Sequence, residues 1–179
     1  MATFVALDFE TAAYGGASAC ALGMVRVERN RVAAERVLMI RPPGRRFVFS
    51  ELHGITWDDV KDQPDFAGHW PAITEMLEGA DYLAAHNAPF DRGVLAACCA
   101  HYGIAAPRQD FLCTVRLARD AWNIRPTKLP DVCRWLGISL PRHHDALHDA
   151  RACAEIVRCA AMDADTRKLL PRGARTVTA

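Results

Sequence analysis

Hydrophobic positions gather at the start of the chain. Phe4-Val5-Ala6-Leu7 is apolar and β-prone, and Asp8-Phe9-Glu10-Thr11 follows it with a period of two. In a strand this places Asp8 and Glu10 on one face and Phe9 on the other. Residues 3–9 are therefore expected as a first strand. Tyr14-Gly15-Gly16 signals a turn. Two short β-branched runs, 20–27 and 32–40, predict second and third strands, with Glu28-Arg29-Asn30-Arg31 as the hairpin between them. Arg41-Pro42-Pro43-Gly44 ends this meander. Residues 45–63 carry no clear period and predict a long connection, a feature that is often functional. The period then changes, and Phe66, Trp70, Ile73 and Leu77 follow helical spacing. Residues 82–85 predict a short buried strand, 94–102 a helix, and 111–115 a fifth strand running into a helix through Trp122. A helix over 129–136 stops at Gly137, and the last helix spans 145–161 with Asp145 as its N-cap.

A meander followed by alternating strands and helices predicts an α/β domain with a mixed sheet and helices on its faces. Length is consistent with one domain, expected over 1–163, with 164–179 as a frayed basic tail carrying Arg167, Lys168, Arg172 and Arg175. The tryptophans Trp57, Trp70, Trp122 and Trp135 are expected in the core or at its rim. No apolar run approaches the ~20 residues of a membrane span, and the start has no signal-type pattern. Seven cysteines without a C-x-x-C pair suggest reduced thiols, so a cytoplasmic protein with no membrane association is expected. The formal net charge of +1 excludes a broad electrostatic grip on duplex nucleic acid. Any phosphate contacts must be local, with Arg45, Arg46, Lys128 and Arg142 as candidates.

Four carboxylates stand where such a fold gathers ligand sites, at strand ends. Asp8 and Glu10 end the first strand, Asp91 lies just past the fourth, and Asp149 sits in the last helix, five residues beyond His144. Convergent carboxylates repel one another and are costly to bury unless cations compensate. Two Mg²⁺ or Mn²⁺ ions about 3.5–4 Å apart would do so and would suit in-line phosphodiester hydrolysis. His144 and His148, four residues apart, also offer a superficial zinc-hydrolase reading. That reading leaves Asp8, Glu10 and Asp91 without a role, and tightly retained zinc would support it.

Asp8-Phe9-Glu10-Thr11, His86-Asn87-Ala88-Pro89-Phe90-Asp91 and His144-Asp145-Ala146-Leu147-His148-Asp149 resemble, in order and spacing, the three exonuclease motifs of the DEDDh family. Over residues 3 to 160 the chain is most similar to the epsilon-like proofreading exonucleases. The resemblance implies an RNase H-like fold with a five-stranded sheet, two divalent metal ions, and 3′-to-5′ release of 5′-mononucleotides from single-stranded nucleic acid. It implies metal binding by Asp8, Glu10, Asp91 and Asp149, and a general-base role for His144. It brings Phe9, Thr11, His53, Ile55, Asn87 and Phe90 to the terminal nucleotide. DNA is the favoured substrate. An exoribonuclease or oligonucleotide-degrading enzyme of the same family is the alternative, and a non-catalytic nucleic-acid-binding adaptor a further one. Ala12 departs from the epsilon pattern, which often has a second threonine there. No long extension follows the core, so stable attachment to a replicative polymerase is not expected. Relatives include monomers and homodimers, and both states stay open.

Overall fold

A computed structural model describes residues 2–171. Five strands form one mixed sheet: β1 (Phe4–Thr11), β2 (Ala19–Glu28), β3 (Arg31–Met39), β4 (Tyr82–Ala85) and β5 (Asp110–Cys113), in the order β3-β2-β1-β4-β5. The three meander strands are antiparallel, and β4 and β5 continue the sheet in parallel with β1. The expected hairpin closes through Arg29 and Asn30, both left-handed, with φ of 50° and 62°. Such two-residue turns match the twist of antiparallel strands.

The period of two along β1 divides the core. Val5, Leu7 and Phe9 pack with Leu22 and Met24 of β2 under α3 (Phe66–Leu77) and α4 (Ala88–His101). Phe4 and Ala6 face the other layer, with Val25 and Val27 of β2, α5 (Thr114–Trp122), α6 (Leu129–Leu136) and α7 (Ala146–Met162). Asp8 and Glu10 continue the second face, at the open end of the sheet.

Several elements differ from the sequence expectation. β1 runs to Thr11 because its ladder with β2 continues through Glu10↔Ala21 and then a bulge. The 45–63 connection holds two single-turn helices, α1 (Ser50–His53) and α2 (Trp57–Val60). The second is fixed by a capping box in which the Thr56 amide donates to Asp59 at 2.7 Å. Elements this short show no hydrophobic period. α4 starts at Ala88 rather than 94, with Pro89 in its first turn, where a missing N–H is harmless. Trp122 and Trp135 pair at 6.1 Å, but Trp135 is largely exposed rather than core. The tail is not frayed throughout. Thr166 is buried and donates to the Ala160 carbonyl at 2.8 Å, and Leu170 packs on the second core layer. Arg172 and Arg175 lie outside the described residues. No helix among the described residues is long and apolar enough to cross a membrane.

Candidate active site

The acidic end of β1 meets α7 because of one glycine. Gly23 on β2 pairs with Asp8. A Cβ there would stand 2.0 Å from the Ala146 carbonyl oxygen and 2.6 Å from the Leu147 nitrogen. Only glycine lets the first turn of α7 lie directly on the sheet. That turn is capped by the Asp145 side chain, which accepts from the His148 amide, and it carries Asp149. Asp8, Glu10 and Asp149 each bring an oxygen within 4.8 Å of the others. We expect Gly23→Ala to cost about 1–3 kcal/mol of stability or more, as an overpacked contact does. It should also cut activity ~10²-fold by displacing Asp149. Thermal melts and kcat measured on the same preparation check both.

Asp91 enters from the opposite layer. β1 outruns β4, which pairs only with Phe4 to Ala6. The Phe9 amide lies past that ladder and donates instead to Asp91 Oδ1 at 3.0 Å. Asp91, in the first turn of α4, is thereby fixed beside β1, with its side chain buried.

Burial and mutual repulsion hold these acids protonated beyond their usual range. Burial raises Glu10 to about 7, with Asp149 and Asp91 adding to it. Burial likewise raises Asp91, against the Phe9 hydrogen bond. Asp8 is pushed well up by burial and by Asp91, Asp149 and Glu10. Asp149 is raised by burial, partly offset by His143. The unfolded acids titrate near 4. Between about pH 4 and 7 the unfolded chain therefore sheds protons that the fold retains, so stability falls as pH rises. We expect the metal-free protein to melt several degrees lower at pH 8 than at pH 5. Mn²⁺ should restore more at pH 8, where protons no longer compete for the carboxylates. A melting series with chelator or Mn²⁺ at the two pH values tests this.

The donor set fits a hard divalent cation. It is all oxygen, like-charged and largely buried, and Asp149 Oδ1 is a buried atom with no hydrogen-bond partner. Asp149 Oδ2, by contrast, accepts twice, from the His144 amide at 3.1 Å and from His143 Nδ1 at 2.9 Å. These two bonds orient the carboxylate so that Oδ1 remains available. His143 and His144 stack at 3.8 Å, and His144 adopts a left-handed backbone with φ of 64°. Burial, with His143 alongside, holds His144 below the usual imidazole range. The zinc pairing of His144 with His148 does not form. His148 Nδ1 instead lies 2.8 Å from Asp145 at the helix cap.

These groups open into a cleft of about 680 Å³. Asp8, Phe9, Glu10, Thr11, His53, His86, Phe90, His144 and Asp149 line it. His53 is locked there as a neutral imidazole. Its Nδ1 accepts from the Ile55 amide at 3.0 Å, so Nε2 carries the proton and donates to the Thr11 carbonyl at 3.1 Å. Burial lowers its pKa further. His86 is held the same way. Nε2 donates to the Thr127 carbonyl at 2.9 Å, Nδ1 accepts from Thr114, and burial lowers it to about 4. Two expected substrate residues are not brought to the cleft wall. Ile55 contributes its amide to His53 rather than its side chain to the cavity. Asn87 takes the left-handed N-cap position of α4, outside the cleft lining. Of the expected basic contacts only Lys128 lines the cleft, while Arg45 lies over the Trp57 ring at 5.2 Å. The cleft walls also include Leu52, next to His53 in the stretch that the resemblance brings to the terminal nucleotide, and His143 and Phe49, which no sequence motif marks as wall residues.

The open end of the mixed sheet thus gathers Asp8, Glu10 and Asp149 within ligand distance of one another, with Asp91 and His144 beside them, a donor set suited to divalent cations. Residues 5–157 match the exonuclease family model. The chain belongs to the DEDDh 3′-5′ exonuclease family. It is 30% identical over 159 residues to the PolC-type DNA polymerase III of Clostridium perfringens, covering 87% of this chain and 11% of that one. It is equally similar, at 30% over 160 residues, to the PolC-type enzyme of Thermotoga petrophila, covering 87% of this chain and 12% of that one. The chain thus spans a small fraction of the curated relatives it matches. Among solved structures, Exonuclease X in complex with 5′ overhanging duplex DNA superposes with a TM-score of 0.75 at 21% identity, covering 90% of this chain and 93% of that one. The nuclease domain of 3′hExo, a DEDDh family member bound to rAMP, superposes at 0.78 and 18% identity, covering 90% and 92%.

Proposed function

We propose that this chain removes nucleotides one at a time from the 3′ end of single-stranded nucleic acid, using Mg²⁺ or Mn²⁺. The observation that carries the reading is the trio of Asp8, Glu10 and Asp149, each with an oxygen within 4.8 Å of the others, in which Asp149 Oδ1 is buried and has no hydrogen-bond partner. Bound divalent ions would polarise the phosphate and stabilise charge on the attacking and leaving oxygens. Asp8, Glu10 and Asp149 would hold them, with Asp91 as the fourth carboxylate. His144, kept neutral near pH 7, takes the proton of the attacking water. Phe90, Leu52 and Phe49 supply apolar surface for a base, and Lys128 offers a cation to a phosphate. A cleft of this size suits an end nucleotide rather than an intact duplex.

DNA is the favoured substrate, supported by the polymerase relatives and by the DNA bound to Exonuclease X. RNA is the second reading, favoured by the rAMP bound to 3′hExo. The free thiols agree with work in the reducing cytoplasm. The test is product analysis on 5′-labelled DNA and RNA strands with Mg²⁺ or Mn²⁺. The reading predicts a ladder shortening by single nucleotides and release of 5′-mononucleotides. Immediate loss of the 5′ label, or activity with retained zinc alone, contradicts it.

A further inference from the structure

A second groove, of about 420 Å³, adjoins the cleft. It is lined by Asn87, Arg119, Arg125, Thr127 and Lys128 among others, and no carboxylate lines it. The two spaces share Lys128. They also share backbone: Asn87 directly follows the cleft residue His86, and the Thr127 carbonyl accepts from His86 Nε2. Arg119 donates to Thr127 Oγ1 at 2.9 Å, which aims its guanidinium along the groove. Many cations elsewhere on the surface are neutralised, as Arg151 is by Glu35, Arg36 by Glu75 and Arg134 by Asp131. Arg119, Arg125 and Lys128 are exposed and form no ion pair with a carboxylate among the described residues.

We propose that this groove binds the phosphodiester backbone of the strand on the 5′ side of the nucleotides seated in the cleft. The inference rests on the exonuclease reading and extends it. A strand whose 3′ end enters a pocket of carboxylates must leave across some part of the rim. Lys128 joins that rim to an adjoining groove that presents three unneutralised cations, which attract phosphates without regard to base identity. The sites therefore divide the work. The cleft selects an end, and the groove selects length.

The test uses the full chain and fluorescence anisotropy of 5′-labelled thymidylate strands of two and ten nucleotides, with Ca²⁺ in place of Mg²⁺ to limit turnover. Arg125→Glu is compared with the Arg119→Glu/Arg125→Glu pair. The proposal expects the ten-nucleotide Kd to rise at least tenfold in the double variant, with the two-nucleotide Kd unchanged within twofold. The slope of log affinity against log salt should shrink by about 1.4, at ~0.7 for each single-strand phosphate that is no longer neutralised. Should Arg119→Glu fail to fold, Arg125→Glu carries the test, because its side chain makes no hydrogen bond among the described residues that folding needs. An unchanged ten-nucleotide Kd overturns the proposal. So does equal weakening for both lengths, which would place Arg119 as a support for Thr127 and His86. The exonuclease reading fails separately: a wild-type chain that binds the long strand through these arginines yet never shortens it keeps the groove and loses the activity. A chain that shortens strands with no arginine dependence does the reverse.

Discussion

Asp8→Ala, Glu10→Ala, Asp91→Ala and Asp149→Ala are each expected to lower kcat by about 10³-fold or more while the protein still folds. The size follows from what the carboxylates would hold under the proposed function. A divalent ion contributes several kcal/mol of transition-state charge stabilisation, and each ~1.4 kcal/mol is tenfold in rate. Folding survives because every one of these acids is raised in the metal-free state, by burial and, for Asp8 and Glu10, by the neighbouring carboxylates. Removing one relieves repulsion instead of breaking a favourable pair. The metal-free melting temperature at pH 8 should therefore hold or rise in Asp8→Ala and Glu10→Ala. Asp91→Ala is the informative exception. Its carboxylate also satisfies the buried Phe9 amide, so this variant should lose about 1–3 kcal/mol of stability through a buried unpaired donor, and Asp149→Ala should lose less, because the His144 amide that it frees is only part-buried. Single-turnover rates at saturating Mn²⁺, with melts on the same samples, separate the two effects. Substantial activity in Asp8→Ala would remove the basis of the metal assignment.

The second large effect divides three histidines that crowd one motif. His144→Ala should lower kcat by ~10²–10⁴-fold, the usual worth of a positioned general base, with metal affinity largely kept. From the H-x-A-x-x-D spacing alone His143→Ala is expected to cost much less than His144→Ala, but the structure gives His143 a role of its own. His143 Nδ1 holds Asp149 Oδ2, which leaves Oδ1 for the cation. An outer-shell partner of this kind is typically worth 10–100-fold in metal affinity. His143→Ala should thus raise the Mn²⁺ concentration for half-maximal rate by that factor, and much of the rate should return at saturating metal. His148→Ala should cost least, because the polar partner of His148 among the described residues is Asp145 at the helix cap, not an acid of the trio. The wild-type rate should rise with pH as His144 loses its proton. Its pKa lies below 6.5, so the limb should be nearly complete by neutrality. That limb should weaken in His144→Ala. A crippled His148→Ala beside a near-normal His144→Ala would mean that the motif is misassigned.

What the sequence disclosed followed local rules. The period of two set Asp8 and Glu10 on one face, and the ladder with β2 bears this out. The caps at Asp145 and Gly137 marked helix ends at the right residues. What stayed hidden depends on distant parts meeting. Gly23 is a glycine inside a strand, a recognised sign of close backbone approach, yet only the fold shows that α7 is what approaches. His143 has no spacing signal, since its role depends on the turn at His144 folding both residues onto Asp149. The basic groove stayed hidden for the same reason. Arg119 and Arg125 lie on separate segments and converge where the loop after α5 folds back beside His86. The resemblance brings Ile55 to the terminal nucleotide, whereas its contribution is an amide that sets the His53 tautomer, a backbone role that no side-chain motif encodes.

The cleft is expected to work only on a free 3′ end, and the rest of the mechanism depends on this. One comparison tests it most directly: a circular single-stranded DNA and its linear form, at equal concentration with Mn²⁺, followed by release of mononucleotides. Steady release from the linear strand and none from the circle over the same period is the predicted result. A circle degraded as fast as the linear strand would contradict it.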